Sequence, residues 1–184
     1  MFKAAISTLT LLAFFAPAIH ASPVGGVAIY NACDFPVYSH TVTEDGGQQA
    51  PVTLAPGQWY WESYQYPKSG GPVLKLTKEQ NLGGVPVTQL EYSITDGTIY
   101  YDISNVDCGP TGQSNQGQCP FLQGGMFLHS SSGCDTKSCQ SGDQRCHDAY
   151  NLPDDNWAVG GCAFKNQNLV FYACRSTYLA PSMA

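Results

Sequence analysis

Two carboxylates, Glu91 and Asp102, occupy positions that a predicted hairpin would bring side by side. The segment Ile94-Thr-Asp-Gly-Thr-Ile99 predicts a two-residue turn at Asp96-Gly97, because Asp-Gly tolerates the positive φ angles of a type I′ turn. Counting back along both strands from that turn places Glu91 opposite Asp102. Directly opposed side chains have Cβ atoms about 4.5–5.5 Å apart, so two like charges at these positions repel each other.

This repulsion predicts a raised carboxyl pKa, a bound cation or a basic neighbour. Lys75 alternates with two leucines in the preceding strand and can share the face, and Asp107 lies just past the strand end. Two carboxylates about 5 Å apart would also suit a retaining glycosidase, with one acid and one nucleophile. Two alternatives stay open. Glu91 and Asp102 point into water, where exposed charges contribute little, or a bulge or longer turn shifts the register.

The opposite face of the same hairpin is predicted to be core. Its residues are Thr88, Leu90, Tyr92 and Ile94 on one strand, and Ile99, Tyr101 and Ile103 on the other. Short β-rich runs separated by turns predict a sandwich or barrel. These runs are 27–30, 37–42, 58–66, 73–77, 87–94, 98–104 and 169–174. Residues 108–146 hold five cysteines among many Gly, Ser and Gln residues, and predict disulfide-held loops with room for one short helix.

The run from Gln58 to Tyr66 is aromatic and alternates Trp59 and Trp61 against three tyrosines. Such rings could form a platform on which sugars stack. The simpler interpretation is sandwich core with a Tyr-rich outer face, because aromatic residues favour strands in general.

Composition limits the class of protein. The chain has 184 residues, 8 Lys or Arg, 14 Asp or Glu, and a formal net charge of −6. This length allows one domain with a real core, and the low charged fraction of 12% argues against disorder. The acidic balance argues against binding of nucleic acid, which needs basic side chains to replace the phosphate counterions. Eight cysteines in a Gly- and Pro-rich chain indicate a disulfide-stapled secreted domain.

The first 21 residues read as a signal peptide. A short basic start is followed by an apolar run from Ala4 to Ile19. We expect cleavage after Ala21, with Ala18 as the alternative, and a mature domain over residues 22–184. An uncleaved anchor is the competing interpretation, but the run is shorter than the roughly 20 residues of a membrane span. Cleavage removes Lys3, so the mature chain carries one positive charge fewer and lies in an oxidising environment without contact to a membrane.

Several segments resemble thaumatin-like proteins. Tyr101-Asp-Ile-Ser-Asn-Val-Asp107 is similar to the family's strand motif Tyr-Asp-Val-Ser-Leu-Val-Asp, and Leu90-Glu-Tyr-Ser93 is similar to the preceding Ala-Glu-Phe-Thr element. Cys146-His-Asp-Ala-Tyr150 resembles its Cys-Pro-Asp-Ala-Tyr segment. Ordered matches run from Val27 to Cys174. The chain looks most like a small fungal branch, the antigenic yeast-phase-specific proteins, in which Asn31-Ala-Cys-Asp-Phe-Pro-Val37 is typical.

The resemblance implies an all-β, antiparallel thaumatin-like sandwich with disulfide-stapled loops beside an acidic cleft. Glu91, Asp102 and Asp107 match the Glu and two of the three Asp residues that line this cleft in larger members. Asp148 matches the third, with Asp154 or Asp155 as alternatives. The cleft Arg of the family has no clear counterpart. Lys75 lies in the corresponding strand but cannot form the bidentate fork of an Arg.

The resemblance also implies a disulfide pairing. It joins Cys33 to Cys174, between the first and last strands. By order along the family pattern, the other pairs are Cys108–Cys162, Cys119–Cys146 and Cys134–Cys139. The spacings lack the paired Cys-x-x-Cys knuckles of a zinc site, and His40, His129 and His147 show no ligand spacing. We expect neither a metal nor a cofactor.

Two functions are consistent with these observations. The first is a secreted, monomeric, non-enzymatic protein of the extracellular space or cell wall. It binds cell-wall β-glucan or a host protein through the acidic cleft, with an antigen- or effector-like role. The second is a weak endo-β-1,3-glucanase in which Glu91 is the acid and Asp102 or Asp107 the nucleophile. We favour binding, because fold resemblance does not transmit chemistry.

Overall fold

The computed structural model describes residues 25–108, 118–131 and 133–178. The predicted signal peptide, residues 1–21, and both cleavage positions lie outside the described residues. Within the described part, no helix is long and apolar enough to cross a membrane.

The described residues form eleven strands and one turn of 3₁₀ helix, Asn156–Ala158. The strands, numbered β1 to β11 in chain order, are Gly26–Asn31, Val37–Val42, Val52–Leu54, Trp59–Ser63, Val73–Thr77, Thr88–Thr95, Thr98–Ser104, Met126–Ser130, Lys137–Cys139, Gly160–Ala163 and Leu169–Ala173.

Two sheets pack face to face. The first sheet has the strand order β4-β1-β11-β8-β9 and the second has the order β10-β7-β6-β5-β2-β3. The all-β sandwich is therefore confirmed. One described pair departs from the antiparallel rule, because β1 runs parallel to β11. Almost the whole chain separates these two strands, so no tight turn forces them to run in opposite directions.

The hairpin of β6 and β7 has the register predicted from its Asp-Gly turn. Thr95 pairs with Thr98, and Glu91 pairs with Asp102. Asp96 and Gly97 both have positive φ, at 51° and 73°, as a type I′ turn requires. The core face is also confirmed, since all seven predicted residues are buried except the half-buried Ile94 at its end.

The segment 108–146 contains more regular structure than its composition predicts. β8 and β9 both lie in this segment, where loops were expected, and the 3₁₀ helix lies outside it. β9 is only three residues long, so it shows no alternation that a sequence pattern could detect. It exists because β8 offers it a partner, Met126 opposite Cys139.

Two of the three tyrosines of residues 58–66, Tyr60 and Tyr64, pack on the core, contrary to the Tyr-rich outer face expected for this segment, and Tyr66 is exposed. Tyr64 is buried, while Trp59 is exposed on the outer face. The inward-facing Glu62 connects the two sheets, because its Oε2 accepts hydrogen bonds of 2.8 Å from Thr41 of β2 and from Tyr60. These two donors compensate part of the cost of burying a carboxylate.

Four disulfides staple the described residues. Cys33–Cys174 is present as the resemblance implied. The other three implied pairings are wrong, and the bonds are Cys108–Cys119, Cys134–Cys162 and Cys139–Cys146. Two of these close local loops, with sequence separations of 11 and 7. The order of cysteines along the family pattern did not predict the pairing. Cys108 and Cys139 each bond to the next cysteine in the sequence instead of to a more distant one.

Candidate functional site

The carboxylates of Glu91 and Asp102 lie on the outer face of the six-stranded sheet. They are paired directly across β6 and β7, and the alternation that buries Leu90 and Ile103 points them away from the core. Lys75 on β5 faces the same side. It pairs with Gln89 of β6, which lies two residues before Glu91 on the same strand. The strands therefore bring these charges together by register alone.

The environment of Asp102 strongly favours its protonated form. Burial and, to a smaller extent, the charge of Glu91 raise the pKa of Asp102 to about 7, against an opposing effect of Lys137. Its Oδ1 is buried and has no hydrogen-bond partner among the described residues. This arrangement suits a carboxyl that holds a proton in the acidic-to-neutral range.

Burial also raises the pKa of Glu91. Burial is the largest cause and the charge of Asp107 adds to it, while Lys75 and a hydrogen bond with Ser104 act in the opposite direction. Both carboxyl pKa values are therefore raised, as predicted, but by burial first and by charge repulsion second. A basic neighbour, the second predicted outcome, is present in Lys75.

The basic neighbour is held in place by an ion pair. Lys75 Nζ lies 3.3 Å from Asp107 Oδ2, and both side chains are partly exposed. Lys75, Glu91, Asp102 and Asp107 thus lie on one surface of the sheet, for which we keep the name acidic cleft that the resemblance predicts. A partly exposed pair of this kind contributes little to stability and leaves Lys75 accessible to a ligand.

Asp148, the predicted third Asp of the cleft, is tied to backbone, and its place in the cleft stays a prediction. Its Oδ2 accepts a hydrogen bond of 3.0 Å from the backbone N–H of Ser138, in β9. Of the two alternatives, Asp155 is buried and accepts from the backbone N–H groups of Asn151 and Leu152. Asp154 is exposed on the adjoining turn. Asp155 thus binds amides of its own turn, as a short carboxylate readily does, whereas Asp148 accepts from a strand residue ten positions earlier in the chain.

Two hollows adjoin the carboxylate pair, and both are lined in part by Glu91 and Asp102. Each has a volume of about 300 Å³. The first is further lined by Glu44, Gly71, Pro72, Val73, Tyr92, Ser93, Tyr100 and Val159. The second is further lined by Gln89, Ser104, Val106, Tyr150 and Pro153. The pair therefore stands where two concave surfaces meet, and this groove was not visible in the sequence.

Several residues of the site escaped the sequence analysis. Lys137 belongs to β9 of the other sheet and is buried, yet its charge acts on Asp102. It has room there because Gly160 lacks a side chain, and a Cβ at that position would press on Lys137 and on the ring of Tyr101. Glu44 comes from an exposed turn after β2. No local sequence pattern predicts that Lys137 or Glu44 lies near the cleft, because each is brought there by contacts between segments that are distant in the chain.

The acidic cleft offers hydrogen-bonding groups rather than a metal site. Among the described residues, no group of three or more His, Cys, Asp or Glu side chains could hold a metal ion. Carboxyls and the aromatic side chains of Tyr100 and Tyr150 line the two hollows, and the ion pair of Lys75 with Asp107 lies on the same sheet face. Such a set can donate to and accept from the hydroxyl groups of an uncharged or basic ligand.

Comparisons with known proteins agree with the resemblance. Residues 14–175 match the family model described as Bys1, Blastomyces yeast-phase-specific protein. An antigenic thaumatin-like protein from Arthroderma benhamiae is 31% identical over 160 residues, which cover 86% of this chain and 76% of the relative. The secreted thaumatin-like protein calA from Emericella nidulans is 32% identical over 144 residues, or 77% of each chain.

Two solved structures share the fold. The protein elicitor MoHrip2 from Magnaporthe oryzae superposes with a TM-score of 0.64 at 24% identity, over 82% of this chain and 98% of that one. The thaumatin-like xylanase inhibitor TLXI superposes with a TM-score of 0.52 at 18% identity, over 80% of this chain and 98% of that one.

Proposed function

Because this chain belongs to the Blastomyces yeast-phase-specific family of thaumatin-like proteins, we propose that it is secreted and binds a cell-wall glycan through the acidic cleft. The observation that carries this proposal is the position of Glu91 and Asp102 at the meeting point of two hollows. Relatives named antigenic and secreted support an extracellular, antigen- or effector-like role. A host or partner protein is the competing ligand.

The chemistry of the cleft favours a polyhydroxylated ligand. A carboxyl with a pKa of about 7 donates a hydrogen bond when protonated and accepts when ionised, so Asp102 can serve a sugar hydroxyl in either state. Lys75 adds a donor, and the aromatic side chain of Tyr100 is exposed at the wall. Together the two hollows reach the size of ordinary small-ligand sites, which measure about 300–1,000 Å³.

Removing the two carboxyls is expected to weaken glycan binding. In a Glu91→Gln, Asp102→Asn double variant, the amides keep the shape but lose the charge and the protonated donor. We expect retention on insoluble β-1,3-glucan to fall at least about tenfold, equivalent to about 1.4 kcal/mol. The measurement is a pull-down across protein concentrations, with Asp34→Asn as a control at an exposed site away from the cleft. Equal retention of the wild type and the double variant would remove the cleft from the proposal.

A glucanase activity is the second candidate, and the raised pKa of Asp102 favours it. A retaining glycosidase needs one carboxyl that stays protonated near the working pH and one that is ionised. With a pKa of about 7, Asp102 is better suited to the acid role. We therefore assign the acid to Asp102 and the nucleophile to Glu91, the reverse of the roles that the sequence suggested.

If this activity exists, Asp102→Asn is expected to abolish release of reducing ends from soluble β-1,3-glucan. The amide cannot protonate the leaving oxygen, and the loss of one general acid costs about 100-fold or more. Asp34→Asn, at an exposed site outside both hollows, is the matched control. Wild-type protein that releases no more sugar than a blank would exclude the enzyme and leave the binding proposal intact.

A further inference from the structure

An aromatic row crosses the outer face of the five-stranded sheet, on the opposite side of the sandwich from the acidic cleft. It consists of Trp59, Tyr30, Tyr172 and Phe127, one from each of β4, β1, β11 and β8. Each is paired directly with the next in the strand register. The same side chains therefore share one face of the sheet.

The rings of this row contact one another. The centroid of Trp59 lies 4.7 Å from that of Tyr30, and Tyr30 lies 5.9 Å from Tyr172. Tyr172 lies 6.1 Å from Phe127. His129 and Tyr178 extend the row, since the ring of His129 stacks on Tyr172 and meets the edge of Tyr178 at 4.9 Å. The contacts hold the rings in place without any partner.

The row is open to solvent at Trp59 and Tyr30 and at Phe127, whereas Tyr172 between them is 2% exposed. Trp59 is 57% exposed and Tyr178 is 50% exposed, while Tyr30 and Phe127 are half-buried and Tyr172 lies beneath them. The core of the sandwich does not need these side chains, because the inward faces of the same strands supply it. Exposed aromatic surface that the core does not need marks an interaction site more often than a structural one.

The charge of the surface indicates the ligand. The four row residues have side chains without a formal charge, and burial lowers the pKa of His129, which favours its neutral form. The charge of Arg175 acts on Tyr172, so a cationic ligand is disfavoured here. The neighbouring Ser138, opposite Phe127 on β9, is uncharged. The indole and phenol rims carry N–H and O–H groups, which an entirely apolar partner would leave unpaired.

We propose that the aromatic row is a second glycan-binding surface, which takes a neutral polysaccharide chain laid across the strands. The apolar C–H faces of sugar rings pack on the electron-rich faces of Trp59 and Tyr30, while sugar hydroxyls bond to the polar rims of the rings. This surface is separate from the acidic cleft and does not require it. With a contact on each face, one molecule would connect two glycan chains.

The test is retention of the full secreted protein on insoluble β-1,3-glucan, chitin and cellulose. Trp59→Ala is expected to lower retention on at least one of them about tenfold, or about 1.4 kcal/mol. Trp59→Tyr, which restores an aromatic face, is expected to recover most of the binding. Tyr66→Ala is the matched control, because Tyr66 is 67% exposed and lies outside the row. A thermal melt of each variant confirms that the fold is kept.

The double variant Glu91→Gln, Asp102→Asn in the same assay separates this proposal from that of the acidic cleft. Loss with Trp59→Ala but not with the double variant supports the row and removes the cleft, and partial loss with each supports two surfaces. Unchanged retention of Trp59→Ala overturns the row, as does a wild type that binds none of the polysaccharides. A change of oligomeric state on gel filtration, with retention unchanged, would instead make the row an interface between copies and also overturn the proposal.

Discussion

Replacing Cys33 and Cys174 by alanine is expected to lower the free energy of unfolding by about 5 kcal/mol. This disulfide closes a loop with a sequence separation of 141 and joins the ends of the adjacent strands β1 and β11. Without it the unfolded chain gains far more conformations than the folded chain. For a domain of this size the melting temperature should fall by about 10–20 °C. Urea denaturation followed by tryptophan fluorescence measures the change.

The matched control is the double alanine variant of Cys139 and Cys146. That bond has a sequence separation of only 7, so the same chain-entropy model expects a loss of about 2.5 kcal/mol. Alanine is used instead of serine because Cys139 and Cys146 are almost fully buried, and a serine hydroxyl would be buried there without a partner. Equal losses for the two variants would contradict the loop-length argument and point to local packing as the source of stability.

Asp102→Asn is expected to stabilise the protein at pH 8 and to change it little at pH 4. The folded-state pKa of about 7 lies above the ordinary value of 3.8, so between these values the folded protein holds a proton that the unfolded chain has released. Stability is therefore highest near pH 4 and falls as the pH rises toward 7, by about 4 kcal/mol for this group. Asparagine removes the charge and with it the loss.

The measurement is urea denaturation of wild type and variant at pH 4, 6 and 8. The difference between the two proteins reports Asp102 together with its coupling to Glu91, because His40 and His129, whose pKa values are lowered by burial, oppose the trend equally in both. Asp34→Asn, at an exposed site, should shift stability by a similar small amount at every pH. If wild type and Asp102→Asn show parallel pH dependence, the buried, proton-holding carboxyl is refuted.

Local patterns were sufficient for the central hairpin. Asp96-Gly97 admits only a few tight turns, and a two-residue turn leaves a single register, so the pairing of Glu91 with Asp102 followed without any tertiary information. The core face of β6 and β7 followed from alternation for the same reason. The strands 37–42, 73–77 and 98–104 were also found at their observed bounds. Each of these strands contains several residues that favour β-structure and is bounded by residues that favour turns.

Long-range packing decided the rest of the candidate site. Lys137 reaches Asp102 from the other sheet, and Glu44 reaches the first hollow from a turn after β2. Asp148, whose motif matches the family pattern, accepts a hydrogen bond from an amide of β9. A motif specifies which residue types are present. Where such a side chain points depends on the unpaired backbone group that lies nearest to it after folding.

The sequence by itself determined the sandwich class, the family, the bond between Cys33 and Cys174, and the acidic pair at the centre of one face. Only the tertiary structure decided the three other disulfides, the two hollows beside the pair, and the alignment of Trp59, Tyr30, Tyr172 and Phe127 in one row. The physical reason is the distance along the chain over which each kind of interaction acts. Turn chemistry and side-chain alternation act over a few residues, whereas a groove or a row requires strands that are distant in the chain to lie about 4.8 Å apart.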